Sequence, residues 1–290
     1  MGIYGIFLAA GLAVGAVYAL SGVGLVILYR ATGVLNLAYG AIGAAGAMVA
    51  WQLQQWGYPE ILGWATAISL SMLLSVGYGR FIAPHLSYRE QVVKAVATLG
   101  FALMILGILS WCWVESPRRL SLASDNFGFD LLGVRFTGTR ALAFLAALAA
   151  TVGIAAFLQK TRTGLLMRAL ANDRNLSAIL GVPVLKVETV AWLISGLLSG
   201  FSGMMFGDLV RLNPTVLTFL VIPAIAAAIV GRLNSLTITL VGGMFIGVVE
   251  AMSTLIQPIA SLRSATPFVV AALLLLWFQR KRRLIFSGND

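Results

Sequence analysis

Runs such as Leu12 to Leu28, Leu99 to Val114, Ala141 to Leu158 and Ala265 to Phe278 carry no charged residue over most of the length needed to cross a bilayer. A helix needs about 20 mostly apolar residues to span the hydrocarbon core. Within lipid, every backbone N–H and C=O must be satisfied by the protein, so only helices or closed barrels cross. A barrel would read as short alternating segments, and these runs are continuous. The composition agrees, at 60% hydrophobic and 10% charged with a mean hydropathy of +0.95, where a soluble domain carries about a quarter charged residues. Spans are read near 3–28, 33–52, 60–82, 95–114, 138–158, 187–207, 215–231, 234–256 and 262–279. The expectation is an all-α polytopic membrane protein of about 8–9 transmembrane helices, forming one transmembrane domain over 1–290. Pro214, Thr215, Thr218 and Pro223 make the seventh span a candidate for a broken or re-entrant helix.

The net charge of +10 follows topology and is not a nucleic-acid signal. With the 160–186 connection in the cytoplasm, Arg30, Arg80, Arg89, Lys94, Lys160, Arg162, Arg168, Arg174, Lys186, Arg232 and the Arg280–Arg283 cluster lie inside. Arg118, Arg119, Arg135, Arg140, Arg211 and Arg263 lie outside. That bias predicts an outside N-terminus and a cytoplasmic C-terminus. Trp51, Trp56, Tyr58, Trp64, Trp111 and Trp113 then fall near the outer interface. No basic segment precedes the first apolar run, so no cleaved signal peptide is expected. Cys112 stands alone and is expected to pack.

The connection from Lys160 to Lys186 reads as a short amphipathic helix. Met167, Leu170, Ala171 and Ala178 share a face, Arg168, Asn172, Asp173 and Asn175 keep water, and Gly181 with Pro183 ends the helix. Such an element gives a soluble partner something to grip; an interfacial helix lying on the bilayer is the alternative. The 115–137 connection reads as an external loop. Glycines at 196, 200, 203 and 207 recur every three or four residues, as in closely packed spans.

Asn36, Tyr39 and Gly40 open the second span, where the amide either satisfies backbone groups freed by a helix break or contacts solute. Glu250 is an intramembrane carboxylate and so a functional candidate. It lines an outer vestibule, binds an ammonium group or, as the favoured reading, pairs with an arginine at an interface between subunits. Asp208 and Arg211 flank an external turn suited to docking. Asp125, Asp130, Asp173, Asp208 and Asp290 are scattered, so no metal site is expected. There is no Gly-x-x-x-x-Gly-Lys phosphate loop. A stand-alone channel or secondary transporter is the rival class.

Three groups of segments resemble the permeases of branched-chain amino acid ABC importers, the LivH/LivM type. The first comprises Gly15-Ala-Val-Tyr-Ala-Leu20, Leu25-Val-Ile-Leu-Tyr29 and Val34-Leu-Asn-Leu-Ala-Tyr-Gly40. The second comprises Thr161-Arg-Thr-Gly164, Arg168-Ala169 and Leu180-Gly-Val182. The third comprises Ala227-Ala-Ile-Val-Gly231, Asn234-Ser-Leu236, Gly242-Gly243 and Gly247-Val-Val-Glu250. The family commonly has His where Tyr39 stands, often an acidic residue at Ala41, and usually glycine at Arg232.

The resemblance implies a single permease domain in a bacterial or archaeal plasma (inner) membrane. Its expected assembly contains a second homologous permease, two cytoplasmic ATPases that hold ATP and Mg, and an external substrate-binding protein. No cofactor is expected in this chain, which is not itself an enzyme. Arg162, Thr163, Gly164, Arg168, Ala169, Asn172, Asp173, Leu180 and Gly181 would form the coupling element on an ATPase. Asn36, Tyr39, Gly40, Thr215 and Glu250 are the pathway candidates. Branched-chain amino acids lead as cargo, followed by other small amino acids, urea, short amides and small carboxylates.

Overall fold

The computed structural model describes residues 2–113, 118–131, 134–255 and 265–279. Arg263 and the Arg280–Arg283 cluster lie outside these residues. The helices are α1 (Gly2–Thr32), α2 (Tyr39–Gln55), α3 (Glu60–Gly77), α4 (Gln91–Cys112), α5 (Gly138–Lys160), α6 (Arg162–Asn172), α7 (Arg174–Ile179), α8 (Val184–Leu209), α9 (Pro214–Phe219), α10 (Val221–Val230), α11 (Leu236–Ser253) and α12 (Thr266–Gln279). A π turn (Tyr78–Ile82) and a 3-10 turn (Ala83–Leu86) extend α3.

The protein is a multi-pass helical membrane protein, and six of the described helices are long and apolar enough to cross a bilayer. The 17-residue α2, the α9–α10 pair and α12 are shorter. Among the spans, α1 is central: 89% of its apolar window is buried, against 22% for α4. Its broadest contact is with α11, followed by α8, α5 and α10. The α1–α11 packing depends on glycine, since a Cβ at Gly247 would collide with the Gly15 backbone and one at Gly243 with Ala19. The stripe read in α8 behaves similarly. Gly196 and Gly200 lie against α3, and Gly203 lies against Gly43 of α2.

The all-helical expectation needs one addition. Gly128–Leu131 (β1) and Val134–Thr137 (β2) form an antiparallel hairpin within the polar connection after α4, pairing Gly128 with Thr137 and Leu131 with Val134. Glu60 and Asp208 accept from the backbone N–H groups of Ala123 (2.7 Å) and Leu122 (3.2 Å). Arg118 forms an isolated β-bridge with Leu212 and lies 4.7 Å from the Trp51 ring centroid. Asp208 therefore has an internal role and does not present a free docking charge, whereas Arg211 is exposed. Cys112, expected to pack, is also exposed. The hairpin marks one end of the bundle, and α6 and α7 mark the other.

Candidate functional site

The segment between α1 and α2, residues 33–38, is not helical although much of it is buried. Side chains meet its backbone needs. Asn36 Oδ1 accepts from Ala38 N (3.0 Å), Thr98 Oγ1 accepts from Leu37 N (2.9 Å), and the Thr98 hydroxyl lies 3.1 Å from Leu35 O. Asn36 thus serves the freed backbone, while its buried Nδ2 has no protein partner. Irregular backbone at membrane depth is tolerated where it is enclosed by protein in this way.

Immediately after this segment, Tyr39 and Gly40 meet the interrupted span. Phe219 ends α9 and Val221 begins α10, because Pro223 supplies no N–H to the Phe219 carbonyl and its ring crowds that position. A Cβ on Gly40 would strike the Thr218 carbonyl. The Ser199 hydroxyl donates to Tyr39 O (2.7 Å), and the Tyr39 and Ser202 hydroxyl oxygens are 3.4 Å apart. These residues, with Ser21, Leu217, Leu220 and Val221, line a pocket of about 10 Å³. That is room for about one water.

Two larger cavities lie along α1 on either side. At the hairpin end, one of about 470 Å³ is lined by Phe7, Gly11, Val14, Arg211, Val216 and Glu250, among others. Glu250 accepts a hydrogen bond from the Tyr18 hydroxyl (2.9 Å). Phe7, Val14 and Ser21 recur at seven-residue spacing, so the cavity and the central pocket share a face of α1. At the other end, a cavity of about 610 Å³ includes Arg30, Lys94, Arg168, Arg174 and Arg232 in its lining. Ser21 lies between the two, about 15 Å from Gly11 at 1.5 Å per residue.

The sequence candidates are therefore distributed. Tyr39 and Gly40 line the central pocket, Asn36 supports the chain just before it, and Glu250 belongs to the hairpin-end cavity. Thr215, in the first turn of α9, lines none of these three. Ser199 and Ser202 were missed; their signal was two hydroxyls within the glycine stripe of α8.

The 160–186 connection is two helices, not one. Thr161 caps α6 by accepting from Gly164 N (3.0 Å), and Asp173 caps α7 by accepting from Leu176 N (2.9 Å). The expected apolar face is corrected accordingly. Gly164, Met167, Leu170 and Ser177 are buried, while Ala171 and Ala178 are exposed: the inward row of α6 runs through Gly164, Met167 and Leu170 and leaves Ala171 outside it, and Ala178 lies in a new register that starts at Asp173. A Cβ on Gly164 would meet Phe157 and Leu158, so α6 folds directly onto the end of α5. Arg162, Arg168, Asn172 and Leu180 are exposed, and Thr163 and Ala169 are half-buried. Gly181 closes α7 at φ +85°.

One contact absent from the sequence reading ties this element to the bundle. Arg174 forms an ion pair with Glu188 of α8 (2.9 Å) and also reaches Ser87 Oγ (3.4 Å). Glu188 was detectable as a carboxylate two residues after Lys186, just inside a span.

Among the described residues, no group of three or more His, Cys, Asp or Glu side chains is placed to hold a metal ion. Residues 7–278 match the family described as "Branched-chain amino acid transport system / permease component". A protein of Methanocaldococcus jannaschii named as a probable branched-chain amino acid transport permease, LivH, is 26% identical over 80% of this chain and 75% of its own. Escherichia coli LivH, named as a high-affinity branched-chain amino acid transport system permease, is 23% identical over 84% of each. An Azospirillum brasilense protein named as an L-arabinose ABC transporter permease, AraH, is 24% identical over 79% of this chain and 67% of its own.

Proposed function

Because the chain belongs to the branched-chain amino acid transport system permease family, we propose that it is the transmembrane subunit of an ATP-driven importer for branched-chain or other small amino acids. The observation that carries this reading is the anchoring of α6–α7. This short element exposes Leu165, Leu176, Ile179 and Leu180 alongside its polar residues, and it is seated on α5 through Gly164 and locked to α8 through Arg174 and Glu188. A push on its exposed face, which includes Arg162, Arg168, Asn172 and Asp173, is passed to two spans. A helix resting on lipid would need no such ion pair to a buried carboxylate.

ATP and Mg belong to separate ATPase subunits in this reading. A second homologous permease and an external binding protein complete the assembly. The α6–α7 end faces the cytoplasm of a bacterial or archaeal cell, the hairpin end faces outward, and the N-terminus is outside. Solute enters the hairpin-end cavity beside Glu250, passes Tyr39 and Gly40 when the α9–α10 break opens, and leaves toward α6. The central pocket is too small for an amino acid, so this arrangement is a closed one. The arabinose-permease relative carries a different solute in its name, which supports assigning most cargo selection to the binding protein.

The test is uptake by Arg168→Glu and Arg162→Glu/Arg168→Glu. Both variants should insert normally, bind the ATPase subunits more weakly and lose transport. Intact transport in both would remove the coupling assignment.

A further inference from the structure

The cavity of about 610 Å³ at the α6–α7 end has a composition that solute passage does not explain. Arg30 from α1, Lys94 from α4, Arg168 from α6, Arg174 from α7 and Arg232 from the α10–α11 turn all line it, and no Asp or Glu does. Arg174 is neutralised by Glu188, which also lies within electrostatic reach of Lys94; Arg30, Arg168 and Arg232 have no carboxylate in the lining. Topological bias explains why such residues are basic. It does not explain why four separate elements direct them at one concavity, where they repel one another.

Arg232 sharpens the point. Its backbone is left-handed, at φ +56°, and Leu233 follows at +53°. This is a conformation glycine adopts freely and side-chain-bearing residues adopt at a cost of about 1 kcal/mol or more each. The turn holds the strain through Arg232 N to Ile229 O (2.7 Å) and Leu233 N to Ala228 O (2.8 Å). Arg30 Nη1 donates to Asn234 O (3.2 Å), placing a second guanidinium against the same turn. A charged side chain is thus kept where glycine would be easier, and it lines the cavity.

We infer that this cavity binds a phosphate-bearing anion through Arg30, Lys94, Arg168 and Arg232. Guanidinium groups match phosphate oxygens with paired N–H donors, and lysine adds a point charge. Asn172 and Asn234 supply neutral donors in the same lining. The site lies where α1 ends and α4 begins, and α4 turns Val92, Val93 and Val96 outward just there. It is therefore at headgroup depth, within reach of an anionic phospholipid or a soluble phosphate compound. The inference does not depend on the transported solute, and because Arg168 also belongs to the proposed ATPase-facing surface, its test rests on Lys94 and Arg232, which that surface does not use.

The test is native mass spectrometry of the full-length chain in detergent with two probes, phosphatidylglycerol and inorganic pyrophosphate. Wild type should retain at least one of them, and Arg232→Gly should weaken that retention about tenfold or more. Lys94→Gln/Arg232→Gly should abolish it. Because glycine suits the backbone at 232, Arg232→Gly should melt no lower than wild type, so lost binding cannot be ascribed to unfolding. Displacement of the lipid by pyrophosphate would identify a soluble phosphate as the ligand; retention of lipid against pyrophosphate would identify a headgroup. Failure of wild type to bind either probe, or equal retention by wild type and a folded Arg232→Gly, would overturn the site.

Discussion

The Arg174 guanidinium lies 2.9 Å from Glu188 Oε1, and the carboxylate side chain is only 8% exposed while the arginine is 29% exposed. The two partners are therefore unequal. Removing the arginine strands a buried carboxylate, whereas removing the carboxylate charge leaves a cation that can still turn to water. Arg174→Ala should accordingly lower the melting temperature of the purified protein more than Glu188→Gln does, with the double variant recovering part of the loss. The pair's coupling energy should fall in the range of about 0.5–3 kcal/mol seen for contacting residues. Equal losses with simple additivity would mean that the contact contributes nothing.

The cap residues should act locally. Thr161→Ala and Asp173→Ala each remove a side-chain acceptor from a helix start, worth about 1 kcal/mol. Hydrogen exchange should rise within about residues 161–180 and stay unchanged in α1 and α11. Faster exchange spread through the bundle would show that α6–α7 supports the whole fold and is not a separately anchored element.

Glycine substitutions should separate contact sites from lipid-facing ones. Gly247→Ala drives a methyl into the Gly15 backbone and should destabilise by about 1–3 kcal/mol, the usual range for overpacking. Gly153 in α5 has open space around its missing side chain, so Gly153→Ala should be neutral or stabilise by up to about 1 kcal/mol. Thermal denaturation of the two variants side by side decides this, and a similar loss in both would contradict the α1–α11 packing.

Pro223→Ala supplies the N–H missing between α9 and α10, favouring one continuous helix. The variant should fold at least as stably as wild type yet transport less, because the junction over Gly40 could no longer open. Uptake at the wild-type rate in a stable variant would show that the interruption is not used.

Much of this was legible because membranes simplify the rules. Uncharged runs flagged α1, α4 and α5 among the long spans, and Pro214 with Pro223 flagged the interrupted one. Gly181 correctly ended α7, since only a left-handed residue fits there. The reading failed where one side chain reset a pattern. Asp173 was taken as a polar position on a single helix, but as a cap it starts a second helix and moves Ala178 into the open. The hairpin was hidden by its shortness, four residues per strand, inside a polar connection. The Arg174–Glu188 pair and the convergence of Arg30, Lys94, Arg168 and Arg232 were beyond reach, because each joins residues whose proximity depends on how separate helices end.

The central claim is that this chain works as a transport subunit driven by ATPases through α6–α7. Affinity purification of the tagged protein from native membranes in mild detergent, with mass spectrometry of the co-purifying subunits, tests it most directly. The account predicts recovery of ATP-binding subunits together with a second permease, and loss of the ATPases when Arg162 and Arg168 are both changed to Glu. Recovery of the chain alone under several mild conditions would contradict it and favour a stand-alone channel or carrier.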